Sequence, residues 1–245
     1  MSRVKLSEFA AKSLLVDDYA GVSLAVDSLE SDTAKLADDV SYIVKVDQGV
    51  KKRGKQGLIV LNASKKDVPE AVRTLASKGF SRFVAEPMFP HDESEERYVS
   101  FERTRAGIAI HYSEHGGVNV EDDPESVKAY TPENVPLPKE FVERVLNAMD
   151  DQHLSFVEIN PLIVRGGDCI LLDAAVLADS AGEHTSKWTD DDIVNPHVPS
   201  DSEAAVAEMN QNSPAAFSFR VLNPDGALWL ILSGGGASIT IADEA

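Results

Sequence analysis

Apolar positions recur along this chain at two periods, and the switching between them outlines a mixed α and β protein. Leu6, Phe9, Ala10, Leu14 and Leu15 fall at helical spacing over residues 5–19, with Gly21 placed to end the helix. Residues 22–40 are polar and acidic and read as helix or loop. Tyr42–Val46 and Leu58–Leu61 read as strands on either side of a basic, glycine-containing segment. Val68, Val72, Leu75 and Ala76 stripe a short helix over Pro69–Lys78, closed by Gly79. Phe80–Ala85 is a further strand. Glu86-Pro-Met-Phe-Pro90 then makes a stiff connector, because each proline fixes φ and removes a donor. Arg97–Glu102 and Gly107–Tyr112 alternate as a strand pair, and residues 121–138 form an acidic loop with four prolines. Phe141, Val142, Val145, Leu146 and Met149 define a helix over 139–149. Residues 178–203 are polar around Trp188 and read as a loop, a tether or a partner surface. Ala215–Leu222 and Ala227–Leu232 read as two last strands, split by the turn Asn223-Pro-Asp-Gly226. Gly234-Gly-Gly-Ala-Ser238 follows, the kind of glycine-rich turn that presents backbone NH groups to an anion. The chain ends seven residues later, and the expectation is the front portion of a longer polypeptide.

The most informative stretch is Phe156–Ala174, where two runs rich in Val, Ile and Leu flank Gly166-Gly167. A glycine pair between such runs predicts a hairpin with a primed two-residue turn. Arg165 then faces Asp168, and counting back along both strands sets Asn160 opposite Asp173. Opposed residues project from one face with Cβ atoms roughly 4.5–5.5 Å apart, and the period of two puts Glu158 on the same face. Two carboxylates and an amide oxygen suit a hard cation such as magnesium, which takes one or two protein ligands and completes its shell with water and phosphates. An ordinary hairpin with a solvated polar face is the alternative, and a bulge would break the register.

Charge changes the picture elsewhere. The chain carries 23 basic and 41 acidic residues, a net charge of −18, which opposes both nucleic acid and anionic membrane as general partners. With 43% hydrophobic and 26% charged residues it reads as a soluble globular protein of one or two domains. Cys169 is the single cysteine and sits inside an apolar strand. No apolar run reaches the roughly 18 residues of a membrane span and no signal-peptide pattern opens the chain, so the cytoplasm is the expected compartment. Against this acidity, Lys45, Lys51, Lys52, Arg53 and Lys55 crowd into eleven positions. Three readings compete: a nucleic-acid or localisation patch, a solvated hairpin tip, and a phosphate cradle in which Gly54 and Gly57 let backbone NH groups approach an anion.

Glu158-Ile-Asn-Pro-Leu162 with Leu172-Asp173 resembles the metal-binding hairpin of the ATP-grasp domains in succinyl-CoA synthetase beta subunits and ATP-citrate lyases. The resemblance implies an α+β / α/β fold: an ATP-grasp module of two subdomains over residues 1–214, its N-terminal subdomain at about 20–85. The start of a Rossmann-like acyl-CoA-ligase, citrate-binding domain would follow at 215–245. It implies that Asn160 and Asp173 hold the Mg2+ of bound ATP or ADP, and that Lys45, Arg53 and Gly54 hold its phosphates. Pro87 and Phe89 would border the adenine, and Glu96, or Glu95 one residue away, would accept from the ribose hydroxyls. Asn210, Ser213 and Ala215 fall where the lyases have a second cation site. Glu114-His-Gly-Gly-Val118 is similar to the family's Glu-Gly-Gly-Val segment with a histidine inserted, and no residue there is assigned a role.

The hinge Glu86–His91 and the run from Leu222 to Ser238 resemble ATP-citrate lyases more than succinyl-CoA synthetases. The implied reaction converts ATP, citrate and CoA to acetyl-CoA, oxaloacetate, ADP and phosphate through a phosphohistidine. None of the six histidines (91, 111, 115, 153, 184 and 197) has the Gly-His-Ala-Gly setting of that residue. The phosphohistidine and the citryl-CoA lyase activity are therefore expected on a partner chain or segment of a hetero- or homo-oligomer, and citrate and CoA are expected to bind through the rest of the enzyme. A succinyl-CoA synthetase beta subunit, a citryl-CoA synthetase large subunit and a non-catalytic assembly fragment stay open as alternatives.

Overall fold

A computed structural model describes residues 3–117, 120, 124–194, 200–211, 219–221 and 223–232. The chain forms two compact units, Ser2–Asn195 and Pro196–Ala245.

The larger unit is built on two antiparallel sheets. One has four strands in the order β2 (Val22–Ala25), β5 (Arg82–Pro87), β3 (Ser41–Val46), β4 (Ile59–Ser64). Helices α2 (Leu29–Ala34) and α3 (Val68–Ala76) pack on it, and Leu24, Val44, Val72, Leu75 and Phe83 form its core. The second sheet runs β1 (Arg3–Lys5), β11 (Ala174–Asp179), β9 (Leu154–Arg165), β6 (Glu96–Thr104), β7 (Gly107–Ser113), β8 (Lys128–Tyr130), with β10 (Asp168–Leu171) pairing the far half of β9. Helices α1 (Glu8–Leu15) and α4 (Lys139–Asp151) cover it, burying Leu15, Phe141, Val145 and Met149 against Phe101, Ile110 and Val157. Each such side chain contributes roughly 1.5–3 kcal/mol when withdrawn from water.

Several elements differ from the sequence expectation for local reasons. The helix expected over 5–19 is only Glu8–Leu15, because the Ser7 hydroxyl caps it by accepting from Ala10 N, and Arg3–Lys5 pair with β11 instead. Residues 22–25 form an edge strand whose four-residue alternation is too short to stand out. The strand expected over Phe80–Ala85 runs through Pro87, so Glu86 belongs to the sheet. The polar segment after residue 178 is anchored: Trp188 is 1% exposed and its indole NH donates to the Gln152 carbonyl at 2.9 Å.

In the second unit, α5 (Asp201–Gln211) is followed by residues 219–221 and 223–232, which join no strand ladder. The strand expected over Ala227–Leu232 is therefore not formed, since a strand exists only through partners for its backbone groups. Trp229 and Ile231 are 78% and 97% exposed. The expected strand over Ala215–Leu222 is described only at 219–221, and Gly234–Ser238 lie outside the described residues.

Candidate functional site

The hairpin forms in the expected register. Gly166 and Gly167 both have positive φ (64° and 93°), as a primed turn requires, and Arg165 pairs with Asp168. The ladder continues past β10: Leu172 N donates to Pro161 O and Asn160 N to Asp173 O, so Asn160 and Asp173 are opposed. Beyond them Glu158 pairs with Ala175. Asn160, Asp173 and Glu158 all line one cleft of about 650 Å³, together with Lys5, Glu8, Arg53, Gly54, Glu96, Tyr98 and Gly117.

The opposite wall comes from the four-stranded sheet. Arg53 lies in the turn after β3, where its Nη1 donates to Val46 O at 2.8 Å. Its Nη2 reaches both Asp173 Oδ2 at 2.8 Å and Glu8 Oε2 at 2.5 Å. Lys45 is buried behind it rather than on the cleft wall, with Nζ bonded to Glu8 Oε1 (2.8 Å), Glu86 Oε2 (2.5 Å) and the Leu172 carbonyl (2.6 Å). Lys12 repeats the pattern one helical turn from Glu8, reaching Glu8, Glu86 and the same carbonyl. Tyr19 completes the set by donating to Glu86 Oε1 at 2.6 Å. Arg53, predicted to bind phosphate, thus meets Asp173, the predicted metal-binding aspartate, although the two are 120 residues apart in sequence.

Burial alone would push the Glu8 carboxyl up, but Lys12, Lys45 and Arg53 outweigh it and hold it well below its ordinary range. Burial likewise opposes the charge on Lys45, and Glu8, Glu86 and Asp173 overcome it, so the ammonium stays protonated. Asp47 accepts from the backbone NH groups of Glu8 and Phe9 at the start of α1, yet burial and the Glu8 charge raise it to about 6. Glu158 is raised by burial and, less strongly, by Asp173, while a bond from the Tyr98 hydroxyl opposes the rise. Lys5, on β1, donates to the Gly49 carbonyl at 3.2 Å, and burial lowers its pKa.

The remaining expected residues are more dispersed. Glu96 lines the cleft with one carboxylate oxygen on His91, whereas Glu95 is turned away onto Arg165. Of the two glutamates, Glu96 is the one on the cleft. Pro87 ends β5 and Phe89 lies under the Arg165 guanidinium, 4.8 Å from ring centroid to carbon; neither lines the cleft. A Cβ at Gly54 would meet nothing within 4 Å, so no contact of the fold demands glycine there. Gly117 is different: at φ +63° its added Cβ would strike the Glu96 carboxylate. Its NH donates to Asn160 Oδ1 at 2.5 Å and its carbonyl accepts from Asn160 Nδ2. Of the residues matched to a second cation site, Asn210 lies on α5, and Ser213 and Ala215 fall outside the described residues.

Sequence reasoning missed Glu8, Lys12, Asp47 and Glu86, the buried charges that hold the site. A signal did exist: Glu8, Ala11, Lys12 and Leu15 lie at i, i+3, i+4 and i+7, so two charges share the buried face of α1. Among the described residues no group of three or more His, Cys, Asp or Glu side chains could cage a metal by itself. No described helix is long and apolar enough to cross a membrane.

Comparison with known proteins places the chain. A family model described as ATP citrate lyase citrate-binding matches residues 198–245. The ATP-citrate synthase alpha chain protein 2 of Oryza sativa subsp. japonica is 30% identical, over 99% of this chain and 68% of its own length. The ATP-citrate synthase of Bos taurus is 29% identical over 99% of this chain but only 27% of its own length, so the chain spans about a quarter of the animal relatives. Among solved structures, ATP citrate lyase from Methanothrix soehngenii in complex with citrate and coenzyme A superposes with a TM-score of 0.70 at 24% identity, covering 99% of this chain and 68% of that one. A dinucleotide-forming acetyl-coenzyme A synthetase 1 from Ca. Korarchaeum cryptofilum, in complex with coenzyme A, Ca-AMPCP and HgCl+, gives 0.53 at 14% identity over 72% of this chain and 94% of its own. These likenesses establish the mixed α/β ATP-grasp fold, and the plant alpha chain establishes descent: the chain belongs to the ATP-citrate synthase (ATP-citrate lyase) family.

Proposed function

We propose that the larger unit, Ser2–Asn195, is the nucleotide-binding, phosphoryl-transferring portion of an ATP-citrate lyase, and that the citrate-binding segment lies in residues 198–245. The observation that carries this reading is the meeting of Arg53 Nη2 with Asp173 Oδ2 at 2.8 Å inside the cleft. Cations suited to phosphate oxygens and a carboxylate suited to a metal stand side by side, as a metal–polyphosphate ligand needs.

The donor set fits magnesium. Asp173 offers a carboxylate whose side chain is 41% exposed, and Asn160 Oδ1, already accepting from Gly117, keeps a second lone pair. Two protein oxygens with water and phosphate oxygens complete the octahedron that this ion prefers. Bound there, magnesium would supply charge neutralisation at the phosphate oxygens. The chain's own residues do the rest. Arg53 leaves Asp173 for the phosphates, Lys45 supports that charge from behind through Glu8 and Glu86, and the Gly54 backbone admits the anion without a side chain in its path. Glu96 receives the ribose hydroxyls, while Pro87 and Phe89 stand outside the cleft and carry no role in this reading. Transfer of a phosphoryl group needs such positioning and charge neutralisation more than covalent chemistry from the protein. The acceptor is a histidine on a partner segment, and the citrate and coenzyme A named in the Methanothrix structure support citrate as the acid.

With the complete enzyme, ADP formation should require citrate and CoA, and succinate should not replace citrate. Succinate-dependent turnover at a comparable rate would overturn the citrate assignment. This chain alone should bind Mg-ADP without cleaving citrate.

A further inference from the structure

Resting on the nucleotide reading, we propose that Glu8 is the positioning residue for the phosphate end of the site. Its carboxylate is buried and divides its two oxygens among three cations: Oε1 takes Lys12 and Lys45, each at 2.8 Å, and Oε2 takes Arg53 at 2.5 Å. Lys12 and Lys45 have a second carboxylate in Glu86. Among the described residues, Arg53 pairs with one carboxylate besides Glu8, that of Asp173, and its remaining bond is to the Val46 carbonyl. When Asp173 turns to a cation, Glu8 is left as the carboxylate that holds the guanidinium in place. Its position at the first residue of α1 also lets the helix N-terminus stabilise the charge. Glu8 therefore matters most when metal is bound, a dependence that a general packing role does not produce.

The experiment titrates three ligands into the 245-residue chain and its Glu8→Gln variant: ADP with Mg2+, ADP with chelator, and adenosine. In Glu8→Gln one oxygen becomes an NH2 group facing a cation. Mg-ADP affinity should fall by about tenfold, metal-free ADP by about threefold or less, and adenosine by less than about twofold. A variant that binds all three as the parent does, or loses all three equally, overturns the inference while leaving the nucleotide reading intact. A parent that binds neither form of ADP overturns both. Should Glu8→Gln not fold, Glu8→Asp keeps the charge but withdraws it by one methylene, and the same graded order of losses, smaller in size, is expected.

Discussion

Asp47 offers the sharpest quantitative test of the buried charge cluster. Its ordinary pKa of 3.8 is raised to about 6 by burial first and by the neighbouring Glu8 charge second, against the two NH groups of α1 that favour the carboxylate. The folded chain therefore holds this proton to higher pH than the unfolded chain. Between pH 4 and 6 the folded state binds more protons, so its stability falls as pH rises through that window. A rise from 3.8 to about 6, at about 1.4 kcal/mol per pH unit, corresponds to about 3 kcal/mol lost by pH 7. Asp47→Asn removes the titration but keeps an acceptor. It also turns an NH2 group toward one of the α1 NH donors, which adds a constant cost at every pH. Glu8 acts in the opposite sense at lower pH, since its depressed pKa contributes stability that is lost as pH falls below its ordinary 4.5. Subtracting parent from variant largely removes that contribution. Urea unfolding at several pH values, followed by the fluorescence of buried Trp188, gives the difference curve. The variant should gain about 3 kcal/mol on the parent between pH 4 and 7. A flat difference, or one of opposite slope, would show that Asp47 is not a strained carboxylate and that the cluster's electrostatics are misassigned.

Three further outcomes follow from the same geometry. Arg53→Met should move two affinities in opposite directions. Mn2+ alone, followed by electron paramagnetic resonance, should bind about threefold tighter, the roughly 0.7 kcal/mol of a half-exposed ion pair removed from Asp173, while Mg-ADP binding weakens at least about tenfold; a parallel change in both would refute the shared role of the pair. Gly117→Ala forces a side chain into a positive-φ position against Glu96, and should cost about 1–3 kcal/mol in thermal or urea stability and weaken nucleotide binding; an unchanged variant would mean that the turn is free to move. Burial pushes the Cys169 thiol up to about 11, so Ellman's reagent at pH 7.5 should label it at least about 100-fold more slowly than a free thiol; rapid labelling would show that β10 opens.

The hairpin was legible because two local rules suffice for it. A glycine pair sets the turn, and a period of two carries the register from Arg165 and Asp168 down to Asn160 and Asp173. The helices at 68–76 and 139–151 were readable from their apolar stripes for a similar reason. The charged cluster was only partly readable: Lys45, Arg53 and Asp173 were marked by their motifs, and Glu8 and Lys12 share the buried face of α1. Nothing local in the sequence brings them together with Tyr19, Asp47 and Glu86, which come from separate segments and meet only through tertiary packing. Ala227–Leu232 misled in the other direction: its apolar run has the composition of a buried strand, but pairing partners, not composition, make a strand. Lys45 shows a mixed outcome, since its place in the sequence marked it for phosphate while the fold sets it behind Arg53.

In the proposed function, the hairpin of β9, β10 and β11 supplies the metal end of a nucleotide site. Calorimetric titration of ADP, with Mg2+ and with chelator, into the parent and into Asp173→Ala tests it most directly. The parent should bind in a magnesium-dependent way, and the variant should lose that magnesium dependence. Binding in which Mg2+ makes the same difference to parent and variant would contradict it.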